Sequence, residues 1–454
     1  MPVSIARRSR SAQAEFAVYP PRRMAELVEI RIRTLATGGE AVGHPVTAAS
    51  SEGPATWFLA DALPGELVRA HAVKTARKHV VGAIDAVLEP SSDRVVPPCP
   101  LAGVCGGCDW QHIAPAAQPG LGLTMVADAL RQLGVVPVLG EAPGIGDGLG
   151  YRRRARLHYR KDGDGLVLGF MRKRSDEVID TPACPVLVAP LRHALGRLRR
   201  AAAVLPNEGE AHVLTDGKHV AIGLPGVRPG KAMTEALEEC LDRVLVGFEI
   251  RGGRSRQRIG TPLLEIDGGG GLPPMIASPF VFTQARSDVN RALLRHVLAR
   301  AKPHGKRVLE LYAGAGNFTR ALARVASRVW TCDDDRESVG LLRKLAEEHG
   351  LPINAKHGDV AALVPRIAAG PTRYEVVVAD PPRAGLGRDA ARALAIVATE
   401  RIVIVGCDPA TLARDLAVLV AHGWAIEEVA VFDMMPMTAQ VECVATLRPK
   451  RSGA

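Results

Sequence analysis

A chain of 454 residues, 47% apolar and 23% charged, is long enough for two to four packed domains and too apolar for a disordered chain. Its net charge of +10 favours a polyanionic partner, although a positive balance also serves solubility. No apolar run approaches the ~20 residues of a membrane-spanning helix, and the Arg-rich start lacks the apolar core of a secretory signal, so a cytoplasmic protein with no membrane partner is expected.

Residues 1–23 carry Arg7, Arg8, Arg10, Arg22 and Arg23 without apolar periodicity, as a flexible basic arm would. Over 24–90 the texture is that of short strands. Val28, Ile30 and Ile32 alternate with Glu29, Arg31 and Arg33, and Val68, Ala70 and Ala72 follow the same rule after Gly38-Gly39 and Pro64-Gly65 turns. This pattern predicts a small OB-like β-barrel with basic outer faces.

A mixed α+β central domain is expected over 91–270. It opens on CPLAGVCGGCDWQH, which places Cys99, Cys105 and Cys108 in one short loop around a flexible Gly106-Gly107 pair. Cys184, in TPACPVL, is the best candidate for a fourth ligand. Thiolate-only ligation suits zinc or an iron–sulfur cluster. The uneven spacing and the distant fourth cysteine favour a [4Fe–4S] cluster over zinc or unligated thiols. His112 is read as an ordinary surface or core histidine. A disulfide framework is not expected without a signal peptide.

Next comes YRRRARLHYRK, a strand with Ala155, Leu157 and Tyr159 on one face and Arg154, Arg156, His158 and Arg160 on the other. Two more basic patches lie at residues 172–174 and 251–258. Arginine-dominated patches within structured segments point to phosphate contacts, since Arg grips phosphate with two parallel donors.

A Gly-rich break at 267–272 leads into a C-terminal domain, 271–454, of alternating strands and helices. Helices are expected over 288–301, 318–325, 337–348 and 388–398, and strands over 307–311, 328–332, 375–379 and 401–405. This predicts an α/β fold with a doubly wound parallel sheet, extended by antiparallel strands near 429–432 and 441–447. The turn VLELYAGAGNFT has Gly314 and Gly316 but Thr319 where a dinucleotide fingerprint wants a third Gly, and no phosphate-binding P-loop is present. E-x-x-x-G-x-G is similar to the first motif of class I methyltransferases, which bind S-adenosylmethionine. Asp333 then ends the second strand where a carboxylate accepts ribose hydroxyls, and Asp359 stands where the adenine ring is often contacted.

Asp380-Pro381-Pro382-Arg383 closes one strand, and the next delivers Cys407 in GCDPATLARD. Glu442 follows in MTAQVEC. Cysteine plus carboxylate is what methylation at uracil C5 requires. A thiolate adds to C6, the enolate attacks the methyl group, and a base removes the C5 proton before the thiolate leaves. The alternative is that Cys407 is a small buried hydrophobe.

With DPPRAG, GCDPATLARD, the late Glu and CPxxGxCGGCxxQH in view, nearly the whole chain resembles the TRAM-containing RNA uracil-5 methyltransferase family. Its iron–sulfur branch acts on large-subunit ribosomal RNA. The resemblance implies a TRAM barrel, a class I methyltransferase domain, S-adenosylmethionine and a [4Fe–4S] cluster. It implies RNA, 23S rRNA above all, as partner of a monomer. It also implies Gln284, Tyr312, Asn317, Asp333, Asp359 and Asp380 as contacts to cofactor or target base, with Gly314 in the donor loop. Cys407 would be the nucleophile, Glu442 the base, and Cys99, Cys105, Cys108 and Cys184 the cluster ligands. Arg286, Gly406, Asp408 and Gln440 depart from the family's usual Asn, Ser, Asn and His. The other readings are a tRNA uridine-C5 methyltransferase and a non-catalytic iron–sulfur protein that binds RNA or senses redox state. Gln284 could instead cap a helix and Asp380 be structural, while Cys240, Cys332 and Cys443 are read as packing.

Overall fold

Residues 26–46, 56–163 and 165–450 are described by the structure, a computed structural model; the arm expected over 1–23 lies outside the described residues. Strands β1 (Val28–Leu35), β2 (Ala41–Pro45), β3 (Trp57–Leu59), β4 (Leu67–Thr75) and β5 (Val80–Glu89) close into a barrel in the order β1-β2-β3-β5-β4. The alternation explains the closure. Ile30, Ile32, Val68 and Ala70 fill the interior, while Glu29, Arg33 and Arg69 face outward. The fully buried Glu66 accepts from Leu63 N–H, Ser91 N–H and the Arg94 guanidinium, which ties the barrel to the chain that leaves it.

Helix α1 (Gln118–Leu130) and the short β6 (Val138–Leu139) follow. They fall within 91–270, yet β6 pairs in parallel with residues 430–431 of the C-terminal sheet. The central sheet comprises β7 (Arg154–Asp162), β8 (Gly165–Met171), β9 (Val178–Asp180), β10 (Glu208–Thr215), β11 (Val220–Pro225), β12 (Leu245–Gly252) and β13 (Ser255–Gly260), in the order β13-β12-β11-β10-β7-β8-β9. Helices α2 (Ala189–Leu198) and α3 (Lys231–Glu239) cover it, burying Leu191, Leu195, Leu198 and Leu237 against Leu157, Phe248 and Ile250. The hairpin β14 (Leu264–Ile266) and β15 (Met275–Ala277) brackets the Gly-rich break.

The C-terminal domain runs α4 (Ser287–Ala301), β16 (Arg307–Leu311), α5 (Thr319–Ala323), β17 (Arg328–Asp333), α6 (Arg336–Glu348), β18 (Ile353–His357), α7 (Val360–Ala369), β19 (Tyr374–Ala379), α8 (Arg388–Val397), β20 (Ala398–Gly406), α9 (Pro409–Ala421), β21 (Trp424–Phe432) and β22 (Glu442–Pro449). The sheet order is β18-β17-β16-β19-β20-β22-β21-β6, with β16–β20 mutually parallel and β22 antiparallel to both of its neighbours. Its central strands are apolar on both faces. Val376, Val377, Val378, Ile402 and Val403 are fully buried, as a sheet covered by helices on each side requires. Burying each such side chain is worth about 1.5–3 kcal/mol.

Two elements were not expected. β18 is short, and α7 carries Pro365 inside it, which masks the helical pattern. α5 is five residues instead of eight, with Arg320 buried among apolar neighbours and its Nη1 donating to the carbonyls of Asp267 and Pro273.

Candidate active site

Cys407 follows the last residue of β20 directly, at the carboxyl end of the parallel strands. Asp408 turns the chain into α9, its Oδ1 accepting from Thr411 N–H at 2.9 Å. An N-cap of this kind is equally served by Asp or Asn, so the departure at Asp408 preserves the turn. Gly406 pairs with Cys443 in the β20–β22 ladder, which sets Cys407 opposite Glu442 on the same face. The two side chains line one cavity of about 610 Å³.

Sequence-distant segments meet there. Gln284, Tyr312, Gly314, Asp333 and Asp380 line the same cavity as Cys407 and Glu442. Gly314 N–H donates to Asp333 Oδ2 at 2.7 Å, fixing the donor loop on the end of β17. Gly314 has φ +54° and open space where a Cβ would point, so the loop offers bare backbone to a ligand. Tyr312, with φ +61°, holds the same left-handed conformation without glycine's freedom, a strain typical of ligand-clamping turns. The DPPRAG loop is held by Asp415, whose Oδ2 accepts from Leu386 N–H at 2.6 Å.

The electrostatics are those of crowded, buried acids. Burial, then Glu442 and Asp380, pushes the Cys407 thiol up to about 11, against which Arg383 pulls down. Burial and then Asp380 hold Glu442 well above the ordinary carboxylate range, and Asp380 is itself raised to about 7 by burial and Asp333. Glu310, at the back of the donor loop, is raised to about 8, chiefly by burial.

Two expected contacts are not brought into the cavity. Asn317 is half-buried, its amide exchanged with Asn290 at 2.9 and 3.0 Å. Asp359 caps α7 through Oδ1, accepting from Ala361 and Ala362 N–H. Gln284 does not cap the next helix; Arg286 occupies that position, with its guanidinium on Asp288 and the Gly144 carbonyl. Cys240, Cys332 and Cys443 are buried packing residues.

Arg154 and Arg156 of the first basic patch reach in from the central domain, whereas the sequence did not point to Arg152, Phe282, Asp334, Met434 and Met435, which also line the cavity. Phe282 is 63% exposed, with the Arg154 guanidinium 5.1 Å from its ring centre. The F-T-Q run was a signal, since an exposed aromatic two residues before a cavity-facing Gln offers a stacking face. In the other two basic patches the cations have partners within the protein. Arg251 and Arg258 engage the buried Glu249, and Arg251 and Arg256 engage Glu337. Arg172 pairs with Glu177 and Lys173 with Asp61, so these cations neutralise protein carboxylates before any phosphate.

Cys99, Cys105, Cys108 and Cys184 line a second cavity, of about 370 Å³, while His112 is buried elsewhere beside Asp61. All four thiols are free. Burial raises Cys105, Cys184 and Cys108, the last to about 11, and each also feels the charge of Arg152. Among the described residues no three His, Cys, Asp or Glu side chains are gathered as ligands for a metal ion.

Residues 278–450 match the model of the tRNA (uracil-5-)-methyltransferase family. A 23S rRNA (uracil(1939)-C(5))-methyltransferase, RlmD, of Alkalilimnicola ehrlichii is 33% identical over 446 residues, covering 93% of this chain and 97% of that protein. The chain belongs to the RNA uracil-C5 methyltransferase family. It is an enzyme that uses S-adenosylmethionine. An uncharacterized RNA methyltransferase of Streptomyces avermitilis is 31% identical over 95% of this chain and 100% of its own length. The crystal structure of Pyrococcus abyssi tRNA (uracil-54, C5)-methyltransferase in complex with S-adenosyl-L-homocysteine superposes with a TM-score of 0.71 at 22% identity, covering 92% of this chain and 99% of that one. That likeness bears out the fold of this uracil-C5 methyltransferase: a class I domain behind a barrel that resembles TRAM.

Proposed function

We propose that this uracil-C5 methyltransferase acts on a uridine in structured ribosomal RNA through a covalent adduct between Cys407 and C6 of the base. The observation that carries this reading is that Cys407 and Glu442, each next to the terminal Gly406–Cys443 pair of the β20–β22 ladder, line one cavity that also holds the donor loop. The target base must leave its stack, at a cost of a few kcal/mol, and Phe282 gives it an aromatic face to stack on. Cys407 rests as a thiol, so its proton passes to the ionised form of Asp380 as sulfur bonds to C6, which leaves Glu442 as a carboxylate for the later step. The C5–C6 electrons move toward O4, where Asp380, titrating near neutrality, offers a proton. When bound, S-adenosylmethionine would supply an electrophilic methyl group to C5 and become S-adenosylhomocysteine, and the O4 proton returns to Asp380 as C5 attacks. Glu442 then takes the C5 proton, the C5–C6 double bond re-forms and sulfur departs. Burial gives Glu442 the raised proton affinity that taking a carbon-bound proton demands.

RNA carrying 5-fluorouridine tests the adduct directly. Fluorine at C5 cannot leave as a proton, so enzyme, RNA and methyl group are expected to stay joined through denaturing electrophoresis. Full activity of Cys407→Ala would sink the mechanism. The relatives that are 23S rRNA methyltransferases favour ribosomal RNA; the family model and the archaeal structure favour transfer RNA as the second reading. Competition between ribosomal and transfer RNA fragments for the adduct separates the two.

The four-cysteine cavity fits a polynuclear iron–sulfur core better than zinc. A cluster spreads its four thiolates around several irons, whereas zinc gathers them about one ion, and these four line a cavity of about 370 Å³. Such a core would bind through Cys99, Cys105, Cys108 and Cys184 and hold the 99–108 loop on the central sheet. Free thiols in this number also fit a reducing, cytoplasmic setting. Anaerobically purified protein is expected to be brown and to contain iron and sulfide; a colourless protein with one zinc per chain overturns the assignment.

A further inference from the structure

Behind Gln284 runs a buried polar network that no step of the methyl transfer uses. Arg153, just before β7, is 5% exposed. Its Nη1 and Nη2 donate to the two carboxylate oxygens of Asp267, each at 2.6 Å. Its Nε donates to the Gln284 carbonyl at 2.8 Å, and its own N–H donates to the Ala285 carbonyl at 3.0 Å. Asp267 Oδ2 also accepts from Asn290 Nδ2 at 2.8 Å, and Asn290 exchanges amides with Asn317 in the donor loop. The Asp267 carbonyl accepts from Arg320. Asp267 keeps φ +57° to make these contacts. The residues on either side of Arg153, Arg152 and Arg154, line the active-site cavity.

We infer that Arg153 is a positioning residue for the methyl transfer, locking Gln284, the interdomain Asp267 and the donor loop into one rigid unit. The inference rests on the covalent reading above. Three features point to position over stability. A buried ion pair is weak evidence for stability, since apolar replacements of similar size are often neutral or better. The third prong of the guanidinium reaches the backbone of a cavity residue, which an ion pair made for stability alone does not need. Only arginine offers a planar fork plus a third donor; lysine has a single point of charge. Misplacement of a reacting partner by about 1 Å costs on the order of 100-fold in rate, so slack at this point would be felt at C5.

The double variant Arg153→Met/Asp267→Asn tests it, since asparagine tolerates the left-handed backbone at 267. This variant is expected to melt near the wild-type temperature, yet to form the 5-fluorouridine adduct at least tenfold more slowly and to bind S-adenosylhomocysteine at least threefold more weakly by calorimetry. Wild-type rate and affinity in that folded variant would overturn the inference. Should it fail to fold, Arg153→Lys decides, because it keeps the charge on Asp267 and loses the Gln284 contact. A tenfold slower adduct at an unchanged melting temperature supports positioning, and a wild-type rate overturns it. Failure of the wild-type protein itself to form an adduct would count against the covalent mechanism, and the calorimetric arm would still judge Arg153.

Discussion

Glu442→Gln is expected to methylate one uridine per enzyme molecule and stop, leaving the RNA bonded to Cys407. Glutamine has nearly the same shape, and the site it enters is buried, where a neutral side chain is better tolerated than a charged one, so the fold should be kept. Addition of sulfur, attack on the methyl group and release of S-adenosylhomocysteine do not call on Glu442. Removal of the C5 proton does, and general-base loss typically costs 10²–10⁴-fold. The adduct should therefore build up with ordinary uridine RNA and the methyl donor, as a retarded band on a denaturing gel whose mass is that of protein, RNA and one methyl group. Cys407→Ser should give neither band nor turnover. Steady-state turnover of Glu442→Gln within a few-fold of wild type would mean that another group takes the proton. Among the described residues, Asp380 is the other raised carboxyl that acts on both residues of the pair.

The reasons this pair was legible in sequence, while the cavity's other walls were not, are physical. A β-branched run ending in Gly406-Cys407 announces a buried strand with a residue at its carboxyl end, and the ladder did the rest. Alternating strands and helices gave the order of the C-terminal domain because a parallel sheet needs a crossover after each strand. The roles of Arg152, Arg153 and Arg154 were not legible. One strand and its lead-in send three consecutive arginines to three partners, the Phe170 ring, a buried carboxylate 114 positions away and the Phe282 ring. Asn317 looked like a donor contact because it sits in the donor loop, but its amide is committed to Asn290. The patch at 251–258 could have been read better. Gly252-Gly253 marks a hairpin, and the hairpin register sets Glu249 directly across from Arg258. Cross-strand opposite charges are the ordinary solution on a sheet face.

Asp380→Asn should abolish most activity while stabilising the ligand-free enzyme above neutral pH. Asp380 titrates near 7 in the folded protein, against 3.8 for the ordinary side chain, because burial and then Asp333 penalise its charged form. A raised carboxyl favours the folded state fully below the ordinary value, and that advantage is lost as pH climbs through 7. Three units correspond to about 4 kcal/mol, and the partial solvent contact of Asp380 reduces this to roughly 2 kcal/mol. Asparagine cannot ionise, so the loss of stability between pH 4 and pH 7 should flatten in the variant, and Glu442 should find its own charged form easier to reach. Denaturant melts of both proteins at pH 4 and pH 8 measure this: the curves should lie close at pH 4 and separate at pH 8, with the variant the more stable. Parallel curves at both values would show that Asp380 is not held neutral by its surroundings. The same carboxyl whose charged form costs the resting fold is, in its protonated form, the proton source the developing enolate needs. Activity and stability should therefore move in opposite directions at this one position.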